Sequence, residues 1–168
     1  MAERGLAAVQ RSKLFLIFRV GDERFALDAM DVVQVLPRLA LKPVPQAPHW
    51  VCGVFSDRGQ VVPVIDISAL TFGQPAAART STRLVLVHYQ LPSSNAPRHL
   101  GLILEYASET RRCDPAAFKP YGLSNRQTPY LGPVLEDETG LLQWITVQEL
   151  LDPRVRELLF DPALVVSE

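Results

Sequence analysis

The chain has 168 residues, 48% hydrophobic and 21% charged, with a net charge of −1. That balance describes a globular protein of one domain or two small subdomains, and it excludes the strongly basic field that nucleic-acid binding requires. No apolar run approaches the roughly 20 residues that span a bilayer and the N-terminus lacks a signal-peptide core, so a cytoplasmic location without membrane insertion is expected.

Residues 1–13 are mixed in character and read as a leader. Leu14–Val20 and Arg24–Leu27, separated by Gly21-Asp22-Glu23, predict a hairpin of apolar strands around a short turn. Asp28 is placed to cap a short helical turn through Met30 to Val33. Pro37, Pro43, Pro45 and Pro48 then forbid a continuing helix or a central strand and predict an extended connection. From Val51 to Leu70 two apolar strands are joined by the polar turn Ser56-Asp57-Arg58-Gly59. Ser56 and Asp57 can bond their own backbone there, and Gly59 can take the positive φ of a tight hairpin, so Arg58 is held at the tip. Asp66 caps a helical turn that ends this half.

The weakly periodic segment Thr71–Thr82 is the expected boundary between subdomains. After it the pattern restarts. Arg83–Tyr89 echoes Leu14–Val20, His99–Leu104 echoes Arg24–Leu27, and prolines return at 115, 120, 129 and 133. Val61–Leu70 and Leu141–Leu150 align without a gap, apolar against apolar and cap residue against cap residue (Asp66, Thr146). Short strands in a repeat predict an all-β chain of two small barrels, about 14–70 and about 83–150, with the second exchanging elements with the first near the chain ends. Asp152–Phe160, with Pro153 at its first position, predicts a capped amphipathic helix ahead of a tail to residue 168.

Catalytic chemistry is poorly represented. His49, His88 and His99 show no metal-ligand spacing, and no phosphate-binding glycine loop or other cofactor motif is present, so neither a metal nor a cofactor is expected. Cys52 and Cys113 form no C-x-x-C pair and read as buried, inert thiols. Two alternatives stay open: a small β-barrel enzyme using Cys52 as nucleophile with His49 as base, and a nucleic-acid-binding barrel of the OB type, which needs a basic face with exposed aromatics. Glu136-Asp137-Glu138 reads as a solvated hairpin tip. Arg58 is suited to recognition, because a guanidinium can grip a carboxylate while its stem packs on apolar surface.

Val20-Gly-Asp-Glu-Arg-Phe-Ala-Leu-Asp28, Pro43-Val-Pro-Gln-Ala-Pro48 and Val51–Leu70 together resemble the CheW-like coupling proteins of bacterial chemotaxis-type pathways. The resemblance runs from Leu14 to Leu70 and more loosely to Leu151. It implies two five-stranded, SH3-like barrels with a groove between them. It also implies a non-enzymatic adaptor that links a methyl-accepting chemotaxis-type receptor to a CheA-like histidine kinase and is recruited to receptor arrays at the membrane. On this resemblance Val32, Gln34 and Arg58 border the groove that takes the receptor tip, and Arg83, Ala107 and Thr110 form its second wall. The kinase's own regulatory domain would meet a barrel end. Ser56 replaces the family's usual asparagine, and Gln34 replaces a common glutamate, which removes the carboxylate of an arginine–glutamate pair; Arg83 stands where a small or branched apolar residue is usual, which implies altered partner specificity. The segments Val35–Pro48 and Leu70–Gly73 look most like an adaptor of a Wsp-type pathway, whose output is cyclic-di-GMP and not swimming.

Overall fold

The computed structural model describes residues 11–92, 94–120 and 126–160. The expected leader and tail thus lie largely outside the described residues, and the first strand already begins at Lys13. Among the described residues there are nine strands: β1 Lys13–Val20, β2 Glu23–Asp28, β3 Val32–Leu36, β4 Val51–Asp57, β5 Gln60–Asp66, β6 Arg83–Tyr89, β7 Arg98–Cys113, β8 Leu131–Asp137 and β9 Gly140–Ile145. Helix α1 spans Ile67–Phe72 and helix α2 spans Pro153–Phe160.

The strands form two groups of five that share the long β7. In one, β3, β6, the first part of β7, β5 and β4 lie side by side; in the other, the last part of β7, β1, β2, β9 and β8 do. Each group contains one parallel contact, β5 with β7 (Ile65 opposite Leu102) and β9 with β2 (Phe25 opposite Gln143). Each is closed by the chain that follows its edge strand. Lys42 exchanges two 2.8 Å hydrogen bonds with Val54 of β4, and Lys119 exchanges two 2.8 Å hydrogen bonds with Val134 of β8. Each bridge ties the chain beyond one edge of its ring to the opposite edge strand, which partly covers edges that would otherwise invite unwanted strand pairing. Gly53 makes the first closure possible: a Cβ there would meet the Lys42 carbonyl oxygen at 2.5 Å, and its φ is +144°.

The expected halves do not correspond to the barrels. Hairpin β1–β2, placed by chain order with β3–β5, pairs instead with β7 and β9; hairpin β6–β7 completes the barrel of β3–β5. The exchange expected near the chain ends thus involves whole hairpins. Its physical reason lies in the burial pattern. Phe15 and Ile17 point into one barrel beside Phe118 and Leu142, while Leu16 and Phe18 join the largest core cluster. On β6, Leu84 and Leu86 fill the other barrel with Val62 and Val64, while Val85 and Val87 join the same large cluster. Both hairpins therefore carry two apolar faces, one for a barrel interior and one for the layer between barrels. That is why their sequences are continuous apolar runs and not alternating ones.

Three local expectations need correction. Asp28 does cap a single 3-10 turn at Ala29–Asp31, accepting from the Met30 amide, but Val32–Leu36 is a strand, as its β-branched valines favour. Ser56 and Asp57 belong to β4, opposite Val61 and Gln60, so the turn is Arg58-Gly59 alone. Asp66 caps α1 through its side chain, whereas Thr146 occupies the equivalent position with no side-chain cap hydrogen bond. Helix α2 starts at Pro153 as expected, with Asp152 accepting from the Val155 amide at 2.9 Å.

Candidate functional site

The β4–β5 hairpin has a two-residue connection in which Arg58 (φ +51°) and Gly59 (φ +83°) are both left-handed. Positive φ at both central residues is the type I′ turn, whose twist suits antiparallel strands. Glycine adopts this conformation freely; arginine does not, since a side chain in left-handed space costs roughly 1–2 kcal/mol. Arg58 is exposed, and no hydrogen bond or ion pair holds its guanidinium among the described residues. Beside it lies an open cavity of about 510 Å³ lined by Val33, Gln34, Asp57, Arg58, Gln60 and His99. The hairpin tip and β3 form its walls, and His99 enters from β7, where it pairs with His88 of β6 with ring centroids 5.8 Å apart.

Of the residues expected at the groove, the structure brings Gln34 and Arg58 to this cavity. Val32 is half-buried against the large core cluster. Arg83 turns back on the chain before it, donating to the carbonyls of Thr80 and Thr82, which occupies its guanidinium with local backbone. Ala107 is buried in the large core cluster. Thr110 is exposed on β7, opposite Leu16. Asp57, expected only as a turn residue, completes the lining with Val33, Gln60 and His99, which were not anticipated from sequence. Val33 and Gln60 follow once the strand at 32–36 and the two-residue turn are recognised, but no local signal marks His99.

The Cys52 and His49 pair does not form an activated nucleophile. Burial, with Asp66 adding to it and Arg38 opposing, pushes the Cys52 thiol up to about 11, so it stays protonated at neutral pH. Cys52 is half-buried and not fully buried as expected, because β4 turns it toward a partly covered cluster with Leu41 and Phe55; Cys113 is buried, as expected. Among the described residues no three His, Cys, Asp or Glu side chains are grouped to hold a metal ion. No described helix is long and apolar enough to cross a membrane.

Residues 14–154 match the family described as the CheW-like domain. The chain belongs to the CheW-like family. Among curated proteins, this CheW-like chain is 36% identical over 94 residues to "Chemotaxis protein CheW" of Rhizobium meliloti, covering 56% of this chain and 57% of the relative. It is 39% identical over 82 residues to "Protein FrzA" of Myxococcus xanthus, covering 48% and 50%. It thus spans about half the length of the curated relatives it matches. A solved structure, the scaffolding protein TtCheW of Thermoanaerobacter tengcongensis, superimposes with a TM-score of 0.73 at 19% identity, covering 86% of this chain and 90% of that one. The mostly-β, SH3-like architecture is therefore that of the CheW fold, and it replaces the OB-type alternative.

Proposed function

We propose that this CheW-like chain is a non-catalytic adaptor coupling a methyl-accepting chemotaxis-type receptor to a CheA-like histidine kinase, recruited from the cytoplasm to receptor arrays. The observation that carries the reading is Arg58, a guanidinium unpaired among the described residues, fixed in a strained turn at the mouth of an open cavity, in a chain of this family. Strain retained at an exposed position points to a role for the side chain outside its own fold. The relatives' names point the same way: one is a "Chemotaxis protein CheW" and another a "scaffolding protein".

A second observation supports the kinase arm. Val61, second in β5, and Leu141, second in β9, are aligned in the repeat and are both exposed, at 48% and 46%. Large apolar residues at equivalent ends of two similar barrels suit a partner built on the same fold, which can meet either end. In this reading the adaptor works by geometry: a rigid body holds receptor and kinase in fixed relation, and receptor state reaches the kinase through their arrangement. The narrower assignment to a Wsp-type pathway rests on residues 35–48 and 70–73 alone. Co-purification tests the whole reading. The receptor's cytoplasmic fragment and the kinase regulatory domain should both be retained by the tagged protein, and retention of neither refutes it.

A further inference from the structure

His88 and His99, far apart in sequence, are brought side by side by the β6–β7 hairpin. They stand directly opposite each other in the antiparallel register, and their ring centroids are 5.8 Å apart. Side chains alternate faces along a strand, so His88 shares its face with Leu84 and Leu86, and His99 shares its face with Gly101 and Ile103. Leu84, Leu86 and Ile103 fill the barrel of β3–β5, which puts both imidazoles at the mouth of that barrel, where His88 is exposed and His99 half-buried. Nothing in this packing calls for histidine in particular. Outside the strand ladder the hydrogen bond made here runs from the Gln148 side chain to the His88 carbonyl, and among the described residues no hydrogen bond or ion pair engages either imidazole.

The separation of the rings suits a shared metal ion. With a zinc–nitrogen bond of about 2.1 Å each ring centroid stands roughly 3.2 Å from the ion, so two imidazole ligands place their centroids about 5.2 Å apart at the tetrahedral angle and about 6.4 Å apart in line. The 5.8 Å between His88 and His99 falls inside these limits. The strand pairing sets that separation in advance, and aiming the nitrogens takes only ring rotation, for which the exposed His88 has room. Charge favours a cation at this place. Burial and Asp28 raise the Asp31 carboxyl above its ordinary value while Lys13 and then His88 act to lower it, so this carboxylate and the His88 ring are near enough to interact. In the neighbouring cavity, which His99 lines, Asp57 offsets Arg58. We propose that His88 and His99 bind a zinc ion at the mouth of this barrel. Neutral imidazole is a favoured donor for that ion. No third His, Cys, Asp or Glu is grouped with the pair among the described residues, so water fills the remaining positions and the ion is exchangeable. The site needs no protein partner, so it stands or falls separately from the adaptor reading.

The test is zinc titration of the full chain by calorimetry, in wild type, His88→Gln, His99→Gln, the double variant and His49→Gln. The last is the control for the rival donors His49 and Cys52, which lie close in sequence. Wild type should take up one zinc ion per chain. Each single change at the pair should weaken binding at least about tenfold, since loss of even an outer-shell partner costs about 10–100-fold, and the double change should abolish it. His49→Gln should bind as wild type does. The proposal is refuted by a wild type that shows no saturable binding, and equally by binding that survives the double change or disappears with His49→Gln. A readout on wild type covers the case of a pair variant that fails to fold. The chain has three histidines, so proton NMR shows three imidazoles, with His49 identified by its variant; zinc should shift the other two and leave His49 in place. Any other pattern overturns the assignment.

Discussion

Replacing Arg58 by asparagine separates what the turn needs from what the side chain does. The hairpin Asp57-Arg58-Gly59-Gln60 requires left-handed backbone at residue 58, where φ is +51°. Asn-Gly is the preferred pair for a type I′ turn, so most of the roughly 1–2 kcal/mol cost of arginine in that conformation should be recovered. With Arg58 exposed and its guanidinium unpaired among the described residues, little favourable interaction is lost in exchange. The expected gain is about 1 kcal/mol, which for a chain of this size raises the melting temperature by roughly 2–4 °C. Binding should move the other way. Losing a charge-assisted contact at an interface costs about 1–3 kcal/mol, a drop in receptor affinity of roughly 5- to 150-fold. The assay is a thermal melt paired with titration of the receptor's cytoplasmic fragment. A less stable Arg58→Asn would refute the turn argument, and an unchanged affinity would remove Arg58 from the receptor site.

Four further outcomes are expected. Asp66→Ala removes the cap on Ala69 and the 2.8 Å bond to the Ala76 amide, both buried, and should cost about 2–4 kcal/mol in urea unfolding; Thr146→Ala, at the repeat-equivalent position with no cap bond, should cost less than about 0.5. Asp137 accepts from Arg24 at 2.7 Å and from Arg111 at 2.6 Å. Burial raises its pKa, but the hydrogen bonds of Arg24, Arg111 and Thr139 outweigh that and hold it well below the usual carboxylate value of 3.8. Because folding depresses this pKa, its contribution is complete above 3.8 and is lost as pH falls below it. Asp137→Asn should therefore destabilise by roughly 2–3 kcal/mol at pH 7 and flatten the acid limb of a stability profile. Alkylation of native protein should modify Cys52 slowly at pH 7 and faster as pH approaches 11, with Cys113 protected until unfolding; fast Cys52 labelling at pH 7 would contradict its environment. Halves cut within the 73–82 connection should each be largely unfolded by circular dichroism and regain β structure when mixed, since neither holds a whole barrel; a half that folds alone would refute this.

The strands themselves were legible, because Leu14–Val20, Arg83–Tyr89 and Val61–Asp66 are apolar runs bounded by turn residues. The repeat was legible too, and the structure deepens it: the Asp66 amide donates to the Trp50 carbonyl at 2.8 Å just as that of Thr146 donates to that of Tyr130 at 2.8 Å. What sequence did not reveal is which hairpin completes which barrel. Both hairpins offer the same pair of apolar faces, so local patterning is satisfied by either pairing, and only long-range packing decides. Strand β3 was misread because a capping aspartate at 28 outweighed the run Val32-Val33-Gln34-Val35, whose β-branched residues were the better signal. At the candidate site, the position of Arg58 at a hairpin tip was legible because turn chemistry is local. The local hydrogen bonds of Arg83 and the burial of Ala107 were not legible, because the resemblance supplies positions and not rotamers or burial.

The hairpin exchange bears directly on how an adaptor of this build can transmit anything. Two barrels on a flexible tether would let receptor and kinase reorient independently, and the state of one would be lost before it reached the other. Here β7 runs from Arg98 to Cys113 through both barrels, and the largest core cluster draws on β1, β2, β6 and β7 together with α2. Bending one barrel against the other would have to open that cluster, in which Phe18, Leu27, Val85, Leu102 and Ile145 are almost wholly buried. At roughly 1.5–3 kcal/mol for each large apolar side chain returned to water, exposing even three of them costs as much as many domains' whole stability. Motion between the barrels is thus confined to small amplitudes. The Arg58 cavity and the exposed ends at Val61 and Leu141 consequently keep a fixed mutual geometry, the property an adaptor needs if it acts by holding its partners in register.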